Sequence, residues 1–568
     1  MKKMLLAMLA AVVLLGLCGI CSAQDSAQTI VTVAFSGYDE LKANLDFLGK
    51  LIGRPDLAQG AEGMLKIALM PQGEGLAGLD TKRPWGAVVQ SQGPQFPIVG
   101  FVPVSDLKKL LGGLIKSGLA KDIGGGVLQI PTAAQPAYVQ QKGGWAFVSI
   151  TPEALKQTPA DPAALLGDLP KNYDLAVRAS IKNLPEPLRQ QFLAGLQMGV
   201  QMAARRRPDE SEDAYALRSR MTQHSIEQVV ALTKELDEVL LGWKINRQGG
   251  TTYIDVTVTA RPGTKAAAQF AQLSQTKTNL AGFDIPEAAV TANWAGTIGD
   301  AEAAQLKGYL SNIRAKATAG LKQQNLGEAE LKTATLMLGD FMDVVQKTIE
   351  NKKADAGAVL LLKPDAATLV AGSLVADGAK LQKIVQQLAA EATANEPDVA
   401  KLVKLDAEIH QDVHFHTVSV PVPDPEAVKF LGPMAKVVLG ISDQAVYVAG
   451  GRDAAKTLKQ VIDQSKAQPA KPVVPLKIVV AATPIAEFVA AVARKDQVKQ
   501  IAAQMAVLLK QSSGRADHLT LTVSPVPNGS RTRIEVEQDL LRVLPALAPM
   551  PLPGPGGPGV PPGAAPPR

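Results

Sequence analysis

The sequence of this chain matches itself in two stretches, and this repetition constrains the fold more than any other feature. The segment Val31–Gly37 matches Val290–Gly296, with the same Val-Thr, aromatic and glycine positions. The offset is 259 residues (290 minus 31). Both segments alternate like a strand that leads into a helix, so the match predicts that one structural unit occurs twice.

Further matching blocks follow in the same order in both copies. Their offsets drift slowly, from 271 (356 minus 85) and 272 (369 minus 97) to 300 (442 minus 142), and then to 280 where Ile254 aligns with Ile534. The aligned blocks are Trp85–Val88 with Ala356–Val359, Pro97–Gly100 with Leu369–Gly372, Lys142–Val148 with Ser442–Val448, Tyr173–Val177 with Leu476–Val480, and a closing hairpin, Trp243 to Ala260, with Leu519 to Glu537. A shared order of blocks predicts a tandem duplication.

The order of elements predicts an α+β fold. Each unit is expected to contain strand, helix, hairpin, helix, hairpin, helix, strand, helices and hairpin, which makes a mostly antiparallel sheet covered by helices. The predicted units are residues 27–275 and 286–548, joined by a linker near Thr276 to Pro286. The closing hairpins turn at Gln248–Gly250 and at Asn528–Gly529, both favourable turn sequences.

The N-terminus has the pattern of a secretory signal peptide over residues 1–23. Lys2 and Lys3 precede an apolar run, and a small-residue exit ends at Ala23. We therefore expect an exported protein of the periplasm or cell envelope. A retained membrane anchor and a lipoprotein modified at Cys18 or Cys21 are the alternatives. Because both cysteines lie in this segment, the mature chain would contain no disulfide, thiol nucleophile or iron–sulfur ligand.

The C-terminus changes composition after Leu547. Residues 549–568 are dominated by proline and glycine, so we expect a disordered tail with polyproline II character. Its predicted role is a spacer, with docking to a partner or to the cell wall as the alternative.

The charge balance argues against a nucleic-acid partner. Without Lys2 and Lys3 the chain has 57 basic residues (59 minus 2) against 53 acidic ones. The densest basic run, Arg205–Arg207, is followed at once by acidic residues, which suits the ends of two helices better than a phosphate-binding stripe.

A histidine-rich segment is the strongest candidate for a chemical site. If period-two alternation continues through it, Glu408, His410, Asp412, His414 and His416 share one face of a strand. Imidazole and carboxylate are suitable ligands for a divalent transition metal. The predicted metal ligands are therefore His410, His414, His416 and Asp412, and the alternative is an ordinary polar strand face. No other cofactor is predicted.

Three other motifs are interpreted as structural. Gly73–Gly78 has G-x-G-x-x-G spacing but no following helix, so a loop is expected. Ser105–Lys108 has S-x-x-K spacing, yet Ser105 is better explained as a helix N-cap. Ser442–Gln444 resembles part of the S-D-N motif but falls where a hairpin turn is predicted.

The strands that run into a capped helix at Trp145–Lys156 and Ala445–Leu458 resemble those of uncharacterised exported bacterial proteins of a domain-of-unknown-function type with tandem α+β units. The resemblance spans about residues 27–548 and implies export and the repeated architecture. It implies no functional residue.

Three functions are therefore weighed. The first is an exported, non-enzymatic binding or scaffold protein of the cell envelope, acting on another envelope protein. The second is a carrier of an apolar ligand held between the sheet and the alanine-rich helices. The third is a metal-dependent enzyme that uses His410, His414 and His416. The absence of common catalytic motifs favours a protein that is not an enzyme, and the oligomeric state stays open.

Overall fold

A computed structural model describes most of the chain. The described residues are 28–69, 76–91, 95–132, 135–156, 158–159, 161–203, 233–323, 327–395, 398–511 and 516–543, with isolated residues between 206 and 219. The predicted signal peptide, the Pro/Gly-rich tail, Gly73–Gly75 and nearly all of residues 204–232, including Arg205 and Arg207, lie outside them.

The first half of the chain contributes ten strands. They are β1 (Gln28–Phe35), β2 (Trp85–Ser91), β3 (Ile98–Pro103), β4 (Lys121–Asp122), β5 (Val127–Ile130), β6 (Ala137–Lys142), β7 (Trp145–Ser149), β8 (Leu175–Ser180), β9 (Leu236–Asn246) and β10 (Thr251–Ala260).

The second half contributes ten more strands to the same sheet and one small two-stranded sheet. The strands are β11 (Lys277–Thr278), β12 (Val290–Thr297), β13 (Lys353–Lys363), β14 (Ala366–Leu374), β15 (Val403–His410), β16 (Val413–Pro421), β17 (Met434–Ser442), β18 (Ala445–Gly451), β19 (Lys471–Pro472), β20 (Leu476–Ala481), β21 (His518–Val526) and β22 (Gly529–Glu537). β11 pairs with β19 in the small sheet.

The α-helices lie between the strands. They are α1 (Tyr38–Leu51), α2 (Leu57–Leu69), α3 (Leu107–Leu110), α4 (Gly112–Lys116), α5 (Ala163–Leu166), α6 (Leu169–Asn172), α7 (Glu186–Ala203), α8 (Lys265–Leu273), α9 (Asp300–Gln323), α10 (Glu328–Glu350), α11 (Gly378–Asn395), α12 (Pro425–Leu431), α13 (Ala454–Ala467), α14 (Ala482–Val492), α15 (Asp496–Lys510) and α16 (Gln538–Val543). Short 3-10 turns occupy Glu153–Leu155, Ala281–Phe283 and Val399–Lys401. No helix among the described residues has a stretch long and apolar enough to cross a bilayer.

The fold is α+β and is organised around one 20-stranded antiparallel sheet. The pairings give the order β4-β5-β6-β7-β3-β2-β1-β8-β9-β10 in the first half. In the second half the order is β15-β16-β17-β18-β14-β13-β12-β20-β21-β22. The two halves meet where β10 pairs antiparallel with β22, and Ile254 lies directly opposite Ile534.

The middle of each half contains more strands than the sequence predicts. A single hairpin is expected around Trp145 and around Ala445, but four consecutive strands are present in each place, β4–β7 and β15–β18. The additional strands are short or irregular, and β15 is mostly exposed with a register shift between Lys404 and Glu408. Such edge strands have weak alternation, which explains why the pattern does not reveal them.

The segment predicted to be a linker is part of the core of the second half. Phe283 is fully buried, and its ring lies where a Cβ atom on Gly357 or Gly372 would stand. Its cluster includes Leu280, Val359, Val370, Leu458 and Ile462. The two glycines provide the space for the ring on this side of the sheet, so residues 280–285 are fixed by packing.

Candidate functional site

One face of the sheet carries no charged side chain over eight neighbouring strands, β18, β14, β13, β12, β20, β21, β22 and β10. Directly opposed residues of antiparallel strands share a face, so the registers identify its members. They are Val446, Val448, Gly450, Ala367, Leu369, Ala371, Ser373, Ala354, Ala356, Ala358, Leu360, Leu362, Val290, Ala292, Trp294, Gly296, Leu476, Ile478, Val480, Leu519, Leu521, Val523, Pro525, Ser530, Thr532, Ile534, Val536, Thr252, Ile254, Val256 and Val258. We call this surface the uncharged face.

The uncharged face is accessible to solvent despite its apolar composition. All its members are part-buried or exposed, and none is buried. Leu369 is 51% exposed, Trp294 and Val448 are each 48% exposed, and Ile534 is 44% exposed. A water-facing side of an antiparallel sheet is normally polar, and a large apolar patch on a protein surface marks an interaction site.

The opposite face of the same strands carries the charges and the tightest packing. It bears Lys477, Arg531, Arg533 and Glu535, together with the Phe283 cluster over β13 and β14. Because the charged side chains of these strands lie on the opposite face, the apolar composition is a property of one face and not of the strands as a whole.

Helices lie over parts of the uncharged face. Val446 packs against buried residues of α10 and α11, and Val536 packs against buried residues of α1, α2 and α16.

A further helix over this face, α14, is itself apolar. α14 contacts β13, and the Phe283 cluster already fills the other side of that strand. The backbone N–H of Thr483 in its first turn donates to the buried carboxylate of Asp517 at 2.6 Å. Only Ala486 of this helix is buried, although Glu487 is its only charged residue. An apolar helix is normally buried on most sides, so α14 adds further partly accessible apolar side chains beside the sheet.

The histidine segment is a hairpin and not a single strand. β15 and β16 are joined by the two-residue turn Gln411–Asp412, both with positive φ, and His410 lies opposite Val413. A two-residue turn reverses the alternation, so His410 shares a face with Val413 while His414 and His416 lie on the other face. The expectation that all five polar residues share one face is therefore wrong.

The predicted metal ligands have separate surroundings in the hairpin. His410 Nε2 lies 2.7 Å from Asp463 Oδ1 of α13, while the Asp412 side chain is 95% exposed at the turn. His414 Nδ1 lies 2.8 Å from Asp406 Oδ1. No group of three or more His, Cys, Asp or Glu residues within the described ranges is arranged to hold a metal ion. Metal binding stays a prediction.

Asp406 is a residue of this region that the sequence analysis missed. It lies in the irregular part of β15 with φ of 45°, and its backbone N–H donates to His416 Nδ1 at 3.1 Å. Its hydrogen bond with His414 lowers the pKa of the Asp406 carboxyl group. Burial lowers the pKa of His416, so this imidazole is neutral near pH 7. His416 Nε2 is buried with no hydrogen-bond partner among the described atoms.

The junction between the halves contains a buried ionic network. Asp255 of β10 is fully buried and accepts two hydrogen bonds from Arg533 of β22, each of 2.8 Å. The Tyr173 hydroxyl donates to the same carboxylate at 2.9 Å. Burial and the nearby carboxylate raise the pKa of Tyr173 to about 12, so the hydroxyl remains a donor. The network is satisfied internally, which favours a structural role.

The other candidate motifs have structural roles where they are described. The N-cap of α3 is Asp106, whose side chain accepts from the backbone N–H of Lys109, so the assignment to Ser105 is wrong by one residue. The hairpin turn predicted at Ser442–Gln444 is confirmed, since Ser442 pairs with Ala445. No protein-family model matches the chain, and no curated protein and no solved structure is significantly similar to it.

Proposed function

We propose that the protein is an exported, non-enzymatic binding protein of the cell envelope that holds an apolar, hydrocarbon-chain ligand on the uncharged face. The observation that carries this proposal is the partly accessible apolar face across eight strands, which bears no charged side chain. Export rests on the signal-peptide pattern of residues 1–23.

The chemistry of the face favours hydrocarbon over a protein partner. The backbone groups of these strands are engaged in the sheet, and the polar side chains on the face are only Ser373, Ser530, Thr532 and Thr252. Protein interfaces normally include a polar rim and several hydrogen bonds. A hydrocarbon ligand needs no such polar contacts, so it fits the accessible apolar side chains of this face better than a protein partner does.

The proposal includes a tandem duplication of the binding unit. It is supported by the identical strand order of residues 28–260 and 290–537. The pairs Val88 with Val99 and Val359 with Val370 give one offset of 271 for both strands (359 minus 88, and 370 minus 99). The alignment of Pro97–Gly100 therefore improves when it is shifted by one residue from the offset of 272. Joined through β10 and β22, two such units form a sheet wide enough for an extended ligand.

The proposal is tested with a fluorescent polyene fatty acid titrated into the full chain. We expect saturable binding that weakens at least about tenfold in Ile534→Lys and in Val256→Lys, because each variant places an ammonium group against the hydrocarbon. Both positions are already exposed, at 44% and 40%, so folding is preserved. Thr520→Lys is the matched control, since Thr520 is on the opposite face across from Glu535. Equal binding by all variants, or no binding by the unmodified chain, would overturn the proposal.

A further inference from the structure

Trp294 on the uncharged face differs from the other three tryptophans of the chain. Each of those three has a ring, a cation or a hydrogen-bond acceptor against its indole; the pairs are Trp85 with Phe35, Trp145 with Arg83, and Trp243 with Thr252. Trp294 is 48% exposed and has no stacked ring, cation or hydrogen bond among the described residues. A tryptophan normally buries its ring and pairs its N–H group, so this indole is available to a ligand.

Phe35 occupies in the first half the place in the sheet that Trp294 occupies in the second half. β1 lies between β2 and β8, and β12 lies between β13 and β20. On one side each aromatic residue lies directly opposite a leucine, Leu175 for Phe35 and Leu476 for Trp294. The two rings can therefore be compared position by position.

The second half lacks the ring that would stack on Trp294. In the first half, Trp85 lies directly opposite Phe35, and their ring centroids are 4.3 Å apart with the planes at 12°. In the second half, Ala356 lies directly opposite Trp294, so only a methyl group stands beside the indole. Opposed side chains are about 5 Å apart, close to a stacking distance, so a planar ring over Ala356 would stack on Trp294.

The surroundings of Ala356 favour an apolar ring over a sugar ring. Its neighbours on this face of β13 are Ala354 and Ala358, and Ser373 lies opposite it on β14. The hydroxyl of Ser373 is the only one directly beside Ala356 on this face, and it already donates to the carbonyl oxygen of Leu374 at 3.1 Å. A sugar ring would bring several hydroxyl groups and leave most of them without a partner.

We infer that the hydrocarbon-chain ligand bears a planar, unsaturated ring, which stands over Ala356 and stacks on the indole of Trp294. This inference rests on the proposed function and narrows the class of ligand. Trp294 selects the ring, and Ala356 leaves the space for it. Because Trp85 fills the corresponding space in the first half, each chain binds one such ring.

The test is a competition between two ligands that share one alkyl chain, which ends in naphthalene in the first and in decalin, its saturated and non-planar counterpart, in the second. Each ligand displaces the fluorescent polyene fatty acid from the full chain. We expect the naphthalene compound to bind about two- to tenfold more tightly, which is the gain that aromatic stacking gives beyond buried area. Trp294→Leu should remove this preference, and Trp294→Phe should keep most of it.

Ala356→Trp is a second variant that reaches the same place from the opposite strand. It puts an indole where the ligand ring would stand, as Trp85 does beside Phe35, so it should abolish the preference while the polyene fatty acid still binds. Leu369→Ala is the control, because Leu369 is 51% exposed on the same face and has no ring. Its loss should weaken the naphthalene and decalin compounds equally.

The outcomes separate this inference from the proposed function. A polyene fatty acid that does not bind the unmodified chain contradicts the proposed function. Equal competition by the naphthalene and decalin compounds, or a preference that survives in both Trp294→Leu and Ala356→Trp, overturns the inference and leaves the uncharged face as the site. An alkyl glucoside with the same chain that competes better than the naphthalene compound would assign the place to a sugar ring and would also overturn it.

Discussion

Replacing Asp255 with alanine should destabilise the chain by about 3–5 kcal/mol, because it leaves a half-buried guanidinium without its carboxylate. Arg533 makes two hydrogen bonds to Asp255, and its guanidinium carbon lies 3.7 Å from the centre of the Tyr253 ring, so it cannot swing into water without loss of packing. Tyr173 would also lose the acceptor of its buried hydroxyl. The measurement is the urea midpoint, with amide hydrogen exchange to localise the opening to β10 and β22.

The matched control for this prediction is an exposed ion pair. Asp284 and Lys477 are 3.1 Å apart with both side chains more than a third exposed, so Asp284→Ala should cost at most about 1 kcal/mol. The double variant Asp255→Ala, Arg533→Leu should recover part of the loss, since no uncompensated charge then remains. If Asp255→Ala were as mild as Asp284→Ala, the buried network would not join the two halves.

Replacing Phe283 with alanine should destabilise the second half by about 3–5 kcal/mol, because a fully buried ring leaves a cavity that glycines cannot fill. Gly357 and Gly372 contribute no side chain on the side where the ring lies. The loss should appear in thermal unfolding and as faster hydrogen exchange in β13 and β14.

Phe341→Ala in α10 is the control for this second prediction, because that ring is 46% exposed and its removal should cost less than about 1 kcal/mol. Equal effects of the two substitutions would mean that residues 280–285 behave as a linker, as the sequence predicts near Thr276 to Pro286, and would contradict the packing described for Phe283.

The sequence predicts the α+β class better than it predicts the surfaces that result. The α+β class and the hairpin turn at Ser442–Gln444 follow from alternation and from turn residues. β13 is apolar at every position from Ala356 to Leu362, and β14 has only Thr368 and Ser373 as polar residues. Their sequence therefore does not tell which side is filled by Phe283 and which side is accessible. That distinction depends on where α14 and the 3-10 turn at Ala281–Phe283 pack, which is a matter of tertiary contacts.

The histidine hairpin illustrates the limit of a periodic pattern. His410 and His414 are four residues apart, which suggests one face of a strand, but the turn at Gln411–Asp412 reverses the alternation. The pattern Glu408 to His416 contains no glycine to indicate a turn, and both turn residues adopt positive φ without it. Asp406 was missed for a related reason. It lies in a local bulge of an edge strand, where successive side chains do not simply alternate between the two faces.

The most direct test of the central claim is native mass spectrometry of the full chain isolated from cells that produce it, with organic extraction of the same sample. We expect a species heavier than the polypeptide by one lipid-like molecule, which is released on extraction and is depleted in Ile534→Lys but not in Thr520→Lys. Metal analysis of the same sample tests the prediction for His410, His414, His416 and Asp412. A polypeptide that carries no small molecule, or that carries only another protein, would contradict the assignment of the uncharged face as a hydrocarbon site.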